Sequence, residues 1–270
     1  MTEGVASITT RRSAYNDALE QGERAIPIEA PVAIEINGVV YAVMMATPAD
    51  LDDFVTGFIL SEGLADAGEI GPVELVRVAD GEGVVARINL PADRAVPIME
   101  RARRRLGDSS CGLCGVESIE AALRPLPKLT TPSTATPQAI RNALAALHDA
   151  QPLNALTSAT HAAAFAQADG ALVLVREDVG RHNALDKLIG ALARAGEDAS
   201  LGFIVMTSRC SYELVEKAVR ANCQLLVTIS APTDLAVRRA KAAGLALAVV
   251  ARNDTMLWVT GPQMEAAYGL

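Results

Sequence analysis

The stretch LVLVREDVGRHNALDKLIG, Leu172 to Gly190, decides the fold. It reads as a short apolar run, then a polar junction, then an amphipathic segment of helical length. The rhythm recurs downstream. Apolar runs at Phe203–Met206, Leu225–Ile229 and Leu245–Val250 alternate with expected helices over Asn183–Ala195, Tyr212–Ala221 and Asp234–Ala243. Short runs without polar alternation suit strands buried on both sides, so residues 128–270 are expected to form an α/β domain, a sheet covered by helices on both faces. Met256–Thr260 supplies a closing strand, and no internal repeat is visible.

Upstream the pattern changes. A helix is expected over Gln138–His148 and a hairpin turn at Asp169-Gly170, while Pro127–Pro137, with three prolines among Thr and Ser, reads as an exposed connection and marks a domain boundary. Residues 21–127 form the smaller α+β domain of this reading. Strands at Pro31–Ile36 and Val39–Met45 flank Asn37-Gly38, a pair that tolerates the positive φ of a tight hairpin. Thr47 is expected to cap a helix over Pro48–Ser61, whose Leu51, Phe54, Val55, Phe58 and Ile59 recur at helical spacing before Gly63. A second hairpin follows at Asp80-Gly81, then a helix over Pro97–Arg105; residues 1–20 are expected to be a flexible tail.

Half of the 270 residues are hydrophobic, enough to bury a sizeable core. The apolar runs fall well short of the ~20 residues that cross a bilayer, and Met1–Ser13 lacks the apolar stretch of a secretory signal. A cytoplasmic chain without membrane association is therefore expected, and in a reducing compartment its four cysteines read first as reactive thiols or metal ligands. The net charge of −8 argues against nucleic acid, although Arg101, Arg103, Arg104 and Arg105 form one basic cluster.

That cluster lies just upstream of Cys111-Gly112-Leu113-Cys114. With Gly115 following, the two thiols sit on a glycine-rich loop, and a helix expected over Val116–Leu123 would place its positive end near Cys114, favouring a thiolate. A lone CxxC has three common readings, half a zinc site, a redox dithiol or a sulfur carrier. A structural zinc needs a second ligand pair, which the widely spaced Cys210 and Cys223 do not form; these two read as buried small hydrophobes.

The strand-to-helix junctions are the other candidates, because open α/β sheets bind ligands beyond their strand carboxyl ends and free helix N–H groups attract anions. Gly180, Arg181, His182 and Asn183 follow the first apolar run; Thr207, Ser208 and Arg209 follow the second; Ser230 follows the third. Taken singly, the hydroxyl-bearing junctions read as N-caps. Taken together, with Arg181, His182 and Arg209, they suggest a shared pocket for a polyanion such as phosphate. His161 stands among small residues, either as a structural histidine or where a ligand approaches.

The strings SSCGLCG, EDVGRHNALDKLIG, TSRCSYELVEKA and ISAPT, in this order, resemble the FdhD/NarQ family of formate dehydrogenase accessory sulfurtransferases, over about Ile26 to Thr260. The resemblance implies a cytidine deaminase-like C-terminal domain, a smaller N-terminal domain and a homodimer. It implies that sulfur is accepted from a cysteine desulfurase as a persulfide and passed to the bis-molybdopterin guanine dinucleotide molybdenum cofactor, bound as substrate, for the catalytic subunit of formate dehydrogenase. Cys111 would bear the persulfide and Cys114 would be its partner. The family's cofactor-contacting segment matches Val250, Ala251, Arg252, Asn253, Asp254 and Thr255; where the family has Gly-Phe this chain has Val249-Val250, so Arg252 is kept and the aromatic ring is not.

Two rivals follow. A zinc-dependent deaminase needs His-x-Glu and Pro-Cys-x-x-Cys, whereas this chain has His182-Asn183-Ala184 and a single cysteine in Arg209-Cys210-Ser211, so no metal is expected. A chaperone that binds the cofactor without moving sulfur would not depend on the thiol of Cys111.

Overall fold

All four anticipated runs become strands of one six-stranded sheet, but a strand of a different character lies among them. The computed structural model describes residues 3–13, 19–96, 98 and 125–262. In chain order the strands are β1 (Val5–Ser13), β2 (Leu19–Pro27), β3 (Ala30–Ile36), β4 (Val39–Ala46), β5 (Glu74–Val78), β6 (Gly83–Ile88), β7 (His161–Gln167), β8 (Leu172–Asp178), β9 (Gly202–Met206), β10 (Leu225–Thr228), β11 (Ala246–Val249) and β12 (Leu257–Thr260). The helices named here are α1 (Leu51–Glu62), α2 (Pro137–Asp149), α3 (Pro152–Thr157), α4 (Arg181–Ala195), α5 (Tyr212–Arg220) and α6 (Asp234–Ala243).

The large sheet has the order β12-β11-β10-β9-β7-β8. β9, β10 and β11 are parallel, while β7 lies antiparallel between β9 and β8. β7 is the strand of different character: Ala162, Ala163, Ala164 and Ala166 have no intrinsic β preference, and the strand forms because both of its faces are covered. Successive residues divide as a pleat requires. Ala163, Phe165, Ile204, Met206, Leu226 and Leu247 meet α4, α5 and α6, whereas Ala162, Ala164, Val205, Val227 and Ala248 meet Ile140, Ala143 and Leu147 of α2 on the other face.

The small sheet, β4-β3-β6-β5, packs Val32, Ile34, Val84 and Ile88 against Phe54, Val55, Phe58 and Ile59 of α1. Its first hairpin turns at Asn37 (φ 49°) and Gly38 (φ 81°), the positive-φ pair that the sequence called for. α1 also crosses α4 at very short range. A Cβ built on Gly57 would stand 1.7 Å from the Asp186 carbonyl oxygen, and one on Gly190 would stand 1.9 Å from that of Asp53, so only hydrogen fits at either position.

Three expectations need correction. Residues 1–20 are not merely a tail: β1 pairs antiparallel with β2 from Val5↔Pro27 to Ser13↔Leu19, using the β-branched Val5, Ile8, Thr9 and Thr10. Thr47 does not cap α1, which starts later, at Leu51; its hydroxyl instead accepts the Val179 N–H (3.2 Å). The helix expected to open at Pro97 already has helical residues at 92–96, residue 98 is helical too, and 97 and 99–105 lie outside the described residues. The Pro-rich connection is mostly exposed, as expected, and is laid against α6, with the Leu129 N–H donating to Ala243 O and Lys128 Nζ donating to Ala242 O.

Candidate functional site

Because β7 runs antiparallel to both neighbours, β8 points the same way as β9, β10 and β11. The three junctions named from sequence, and the Val250–Thr255 segment that the resemblance added, therefore emerge at one edge of the sheet. They are laced to one another: Ile229 N–H donates to Met206 O, Cys210 N–H to Ala231 O, Thr233 N–H to Cys210 O, Val250 N–H to Ser230 O and Ala251 N–H to Thr228 O.

At the first junction the polar side chains divide. Asp178 accepts from the Thr47 N–H (3.0 Å), the Gly180 N–H (2.8 Å) and Asn183 Nδ2 (3.0 Å). Lys187, 0% exposed, spends its ammonium on Asp178 (2.7 Å), Thr47 O (3.0 Å) and Glu177 O (3.2 Å). Asn183 also donates to Met45 O (2.8 Å), so it belongs to the seam with the small sheet and does not face a ligand. One turn on, Asp186 holds Lys217 (2.9 Å) and Ser61 of α1 (2.6 Å); burial pushes its carboxyl up and Lys217 pulls it back. Asp53 of α1 receives Arg176 (2.7 Å) and Arg194.

Arg181 and His182 point the other way. Arg181 is half-buried, and its Nε, screened from solvent, has no hydrogen-bond partner among the described residues. His182 Nε2 lies 3.2 Å from Ser211 Oγ and 3.3 Å from Glu213. Burial, and then the Arg181 guanidinium, hold this imidazole below its ordinary range; burial does the same for His161, again with Arg181 adding to it. Neutral imidazoles beside an unpaired guanidinium nitrogen can accept or relay protons without repelling it.

The helix starts also differ. α6 is closed by Thr233, whose hydroxyl accepts the Ala236 N–H (3.2 Å), an ordinary N-cap. Neither Gly180 of α4 nor Ser211 of α5 provides a side-chain cap, the Ser211 hydroxyl being turned to His182. Their free N–H groups flank Arg181 and His182. Thr207 accepts the Ala162 N–H (2.7 Å) and the buried Ser208 donates to Arg209 O (3.0 Å), which leaves Arg209 as the exposed polar group of that junction.

The Val250–Thr255 segment borders a cavity. Arg252, Asn253, Asp254 and Thr255, with Met256 and Trp258, face Gln138, Arg141 and Leu144 of α2 around about 330 Å3. This lies at the lower end of the ~300–1,000 Å3 usual for small-molecule sites. Val250 enters the loop at φ 51°, a left-handed conformation that costs a β-branched residue about 1–2 kcal/mol. The loop is fixed by the Arg252 N–H on Thr255 O (2.8 Å) and by Arg252 Nη1 on Ile229 O, while Ala251 is buried. Gly180, Arg181, His182, Thr207, Ser208, Arg209 and Ser230 share the sheet edge with this loop but do not line the cavity, because α4 and α5 lie on the opposite face of the sheet from α2.

Sequence reasoning missed Trp258, Arg141 and Gln138; the only available signal was a lone tryptophan shortly after the matched segment. Cys210 and Cys223 are buried as expected, and burial pushes their thiols up to about 12 and about 11, leaving them inert. Cys111, Cys114, the upstream arginines and the helix expected over Val116–Leu123 lie outside the described residues. Among the described residues, no helix is long and apolar enough to cross a membrane.

The sequence model of the FdhD/NarQ family matches residues 27–264. Sulfur carrier protein FdhD of Xanthomonas oryzae pv. oryzae (strain MAFF 311018) is 52% identical over 238 residues, covering 88% of this chain and 84% of the relative. The protein of the same description from Variovorax paradoxus (strain S110) is 44% identical over 240 residues, covering 88% and 85%. A crystal structure described as a formate dehydrogenase accessory protein from Desulfotalea psychrophila superposes with a TM-score of 0.74 over 96% of this chain and 98% of its own, at 20% identity, and so shares the fold. The motifs, the architecture and these relatives agree, and the chain belongs to the FdhD/NarQ family.

Proposed function

We propose that this chain is a sulfurtransferase serving formate dehydrogenase: Cys111 carries sulfur as a persulfide and delivers it to the bis-molybdopterin guanine dinucleotide cofactor. The observation that carries the cofactor side of this reading is the cavity walled by Arg252–Thr255, the segment that the family resemblance assigns to cofactor contact. Its volume suits one nucleotide-sized part of that large substrate. The uncapped starts of α4 and α5, with Arg181, His182 and Arg209, offer further anion-binding groups at the same sheet edge. The carrier role rests on relatives at 44–52% identity described as sulfur carriers.

In the loading step the Cys111 thiolate attacks the terminal sulfur of a desulfurase persulfide; the new S–S bond forms at Cys111 and the donor leaves as a thiolate. In delivery, attack of the Cys114 thiolate on the inner sulfur of the Cys111 persulfide forms a Cys111–Cys114 disulfide and expels sulfide for the cofactor. The disulfide then takes two electrons from a dithiol reductant before the next cycle. A cysteine desulfurase, the catalytic subunit of formate dehydrogenase and a second copy of this chain are the partners of this reading, in the cytoplasm.

Incubation with a cysteine desulfurase and cysteine should add the mass of one sulfur atom to the wild-type chain and none to Cys111→Ala. A Cys111→Ala chain that still activates formate dehydrogenase fully would show a cofactor-binding chaperone instead. The position of Cys210 opposes a deaminase reading: its thiol is held in the core, with its N–H and C=O spent on the β10–α6 junction.

A further inference from the structure

We propose that the open face of the small sheet is the docking surface for the protein that donates sulfur, a cysteine desulfurase whose contact surface is apolar at its centre and basic at its rim. This rests on the reading of the chain as a sulfur carrier. α1 covers the inner face of the sheet β4-β3-β6-β5, and the pairing register sets out the other face. One row runs Met45, Pro31, Gly83, Val78 across the four strands. A Cβ built on Gly83 would stand 3.4 Å from Val78 Cγ2 and 3.5 Å from Pro31 Cγ, so these residues share a side. The next row runs Val43, Ala33, Val85, Val76. A sheet face turned to water is ordinarily polar, yet neither row carries a polar side chain. Val43, Met45 and Val78 are 60%, 49% and 40% exposed. Contiguous apolar surface of this kind marks contact with another molecule.

Size and charge select the occupant. Three rows about 7 Å apart on four strands about 4.8 Å apart give a face of roughly 400 Å2, about half of the ~800 Å2 per partner of a stable interface. That suits a partner that binds, reacts and leaves. The third row carries Glu35, Arg87 and Glu74, with Arg87 spent on the two carboxylates (3.3 and 3.8 Å). At the other end of the strands stand the exposed Glu29, Asp80 and Glu82. A second copy stacked on this face would meet its own acidic rim at both ends, whereas a surface rimmed by Lys and Arg would be attracted. Position then selects the donor. α1 crosses α4, and α4 covers the face of the large sheet opposite α2. The open face and the cavity under α2 therefore lie on opposite outer sides of the layers. Ile98, packed in the small-sheet core, leads the chain toward Cys111. A donor docked here loads sulfur from one side and leaves the cofactor side to formate dehydrogenase.

A purified cysteine desulfurase with cysteine is the probe, and sulfur loading of the full-length chain is followed by intact mass across desulfurase concentrations. Val43→Arg and Val78→Arg each place a cation on one edge strand of the face, outside the core. Each should raise the desulfurase concentration for half-maximal loading at least about tenfold, as burial of an unpaired charge in the contact requires, while loading from glutathione persulfide stays at the wild-type rate. Leu201→Arg, which removes a 71% exposed side chain from the turn before β9, should change neither. Added salt should raise the half-maximal concentration of the wild type, because the rim charges are screened. Urea midpoints of both variants should match the wild type; should one shift, the other, on the opposite edge strand, carries the test. Unchanged half-maximal concentrations would overturn the docking surface and leave the carrier reading standing. Slower loading from glutathione persulfide as well would place the effect at Cys111 and overturn the docking surface too. A wild-type dimer, seen by light scattering, that dissociates in Val43→Arg with loading unaltered would give the face to a second copy instead. Failure of the wild type to take sulfur from either donor would overturn the carrier reading and this proposal with it.

Discussion

The two sides of the stretch from Glu177 to Lys187 have opposite fates. Asp178, Asn183, Asp186 and Lys187 face inward, where every charge meets a partner across the seam between the small and the large sheet. Arg181 and His182, within the same turn of chain, face the sheet edge, where among the described residues a guanidinium nitrogen is without a hydrogen-bond partner and two helix starts have no side-chain cap. A dense run of ionisable residues is thus neither a site nor a solvated helix start. It is a fastener on one face and, on the other, carries a guanidinium nitrogen without a hydrogen-bond partner among the described residues, and the α-helical period of about 3.6 residues sorts the side chains between the two.

The inward side is where substitution should cost most. Lys187→Met leaves Asp178 charged and buried, and loss of one partner from such a pair typically costs about 3–5 kcal/mol. Urea denaturation of Lys187→Met should show that loss, and the double variant Lys187→Met with Asp178→Leu should recover part of it by removing the stranded carboxylate. Recovery of nothing would mean that the backbone contacts of Asp178 at Thr47 and Gly180, more than its charge, hold the seam. Gly190→Ala comes next: its methyl would meet the Asp53 carbonyl, α1 and α4 would have to separate, and about 3 kcal/mol should be lost. An unchanged denaturation midpoint in Gly190→Ala would show that the two helices do not cross this closely in solution.

Much of this architecture is legible in the sequence where one residue type has one physical reason. Asn37-Gly38 announces its turn, the apolar runs announce β8 to β11, and α1 is announced by its spacing of Leu51, Phe54, Val55 and Phe58. β7 is announced only by the hairpin turn at Asp169-Gly170, because alanine favours helix and carries no period-two signal. The seam is obscure because Gly57 and Gly190 look like flaws in their helices until the other helix is present. Residue identity placed the candidate site at the three junctions, but it did not separate Asn183, which is turned inward, from Arg181 two residues away, because that depends on which face of α4 meets the small sheet. Trp258 went unused because a tryptophan in a closing strand is ordinarily core.

Acidification probes both sides with a smaller effect. His161 and His182 are held below the ordinary imidazole range in the fold, so the unfolded chain takes up protons first as pH falls. Their contribution to stability is complete above the unfolded value of about 6.5 and is lost as pH drops from there through the lower folded values. The urea midpoint should therefore decline as pH falls below about 7.5, and His182→Gln should flatten that decline. A decline of equal depth in His182→Gln would assign the effect to other groups.

The smallest effect on stability, and the sharpest on the comparison, belongs to Arg181→Gln. The lost guanidinium forms no ion pair among the described residues, so stability should move by no more than about 0.5 kcal/mol. The electrostatic consequence is specific. Arg181 depresses both imidazoles, so its removal should raise the midpoints of His161 and His182 together, measured by proton NMR of their ring C–H signals with His148 on α2 as the reference resonance. Delivery of sulfur to formate dehydrogenase should fall in the same variant while persulfide loading at Cys111 is unchanged, because Arg181 lies on the cofactor side of the proposed transfer. If the two histidine midpoints stay where they are, Arg181 does not face them. If instead stability drops by several kcal/mol, Arg181 belongs with Lys187 among the fasteners, and the division between inward and outward faces fails at its first outward residue.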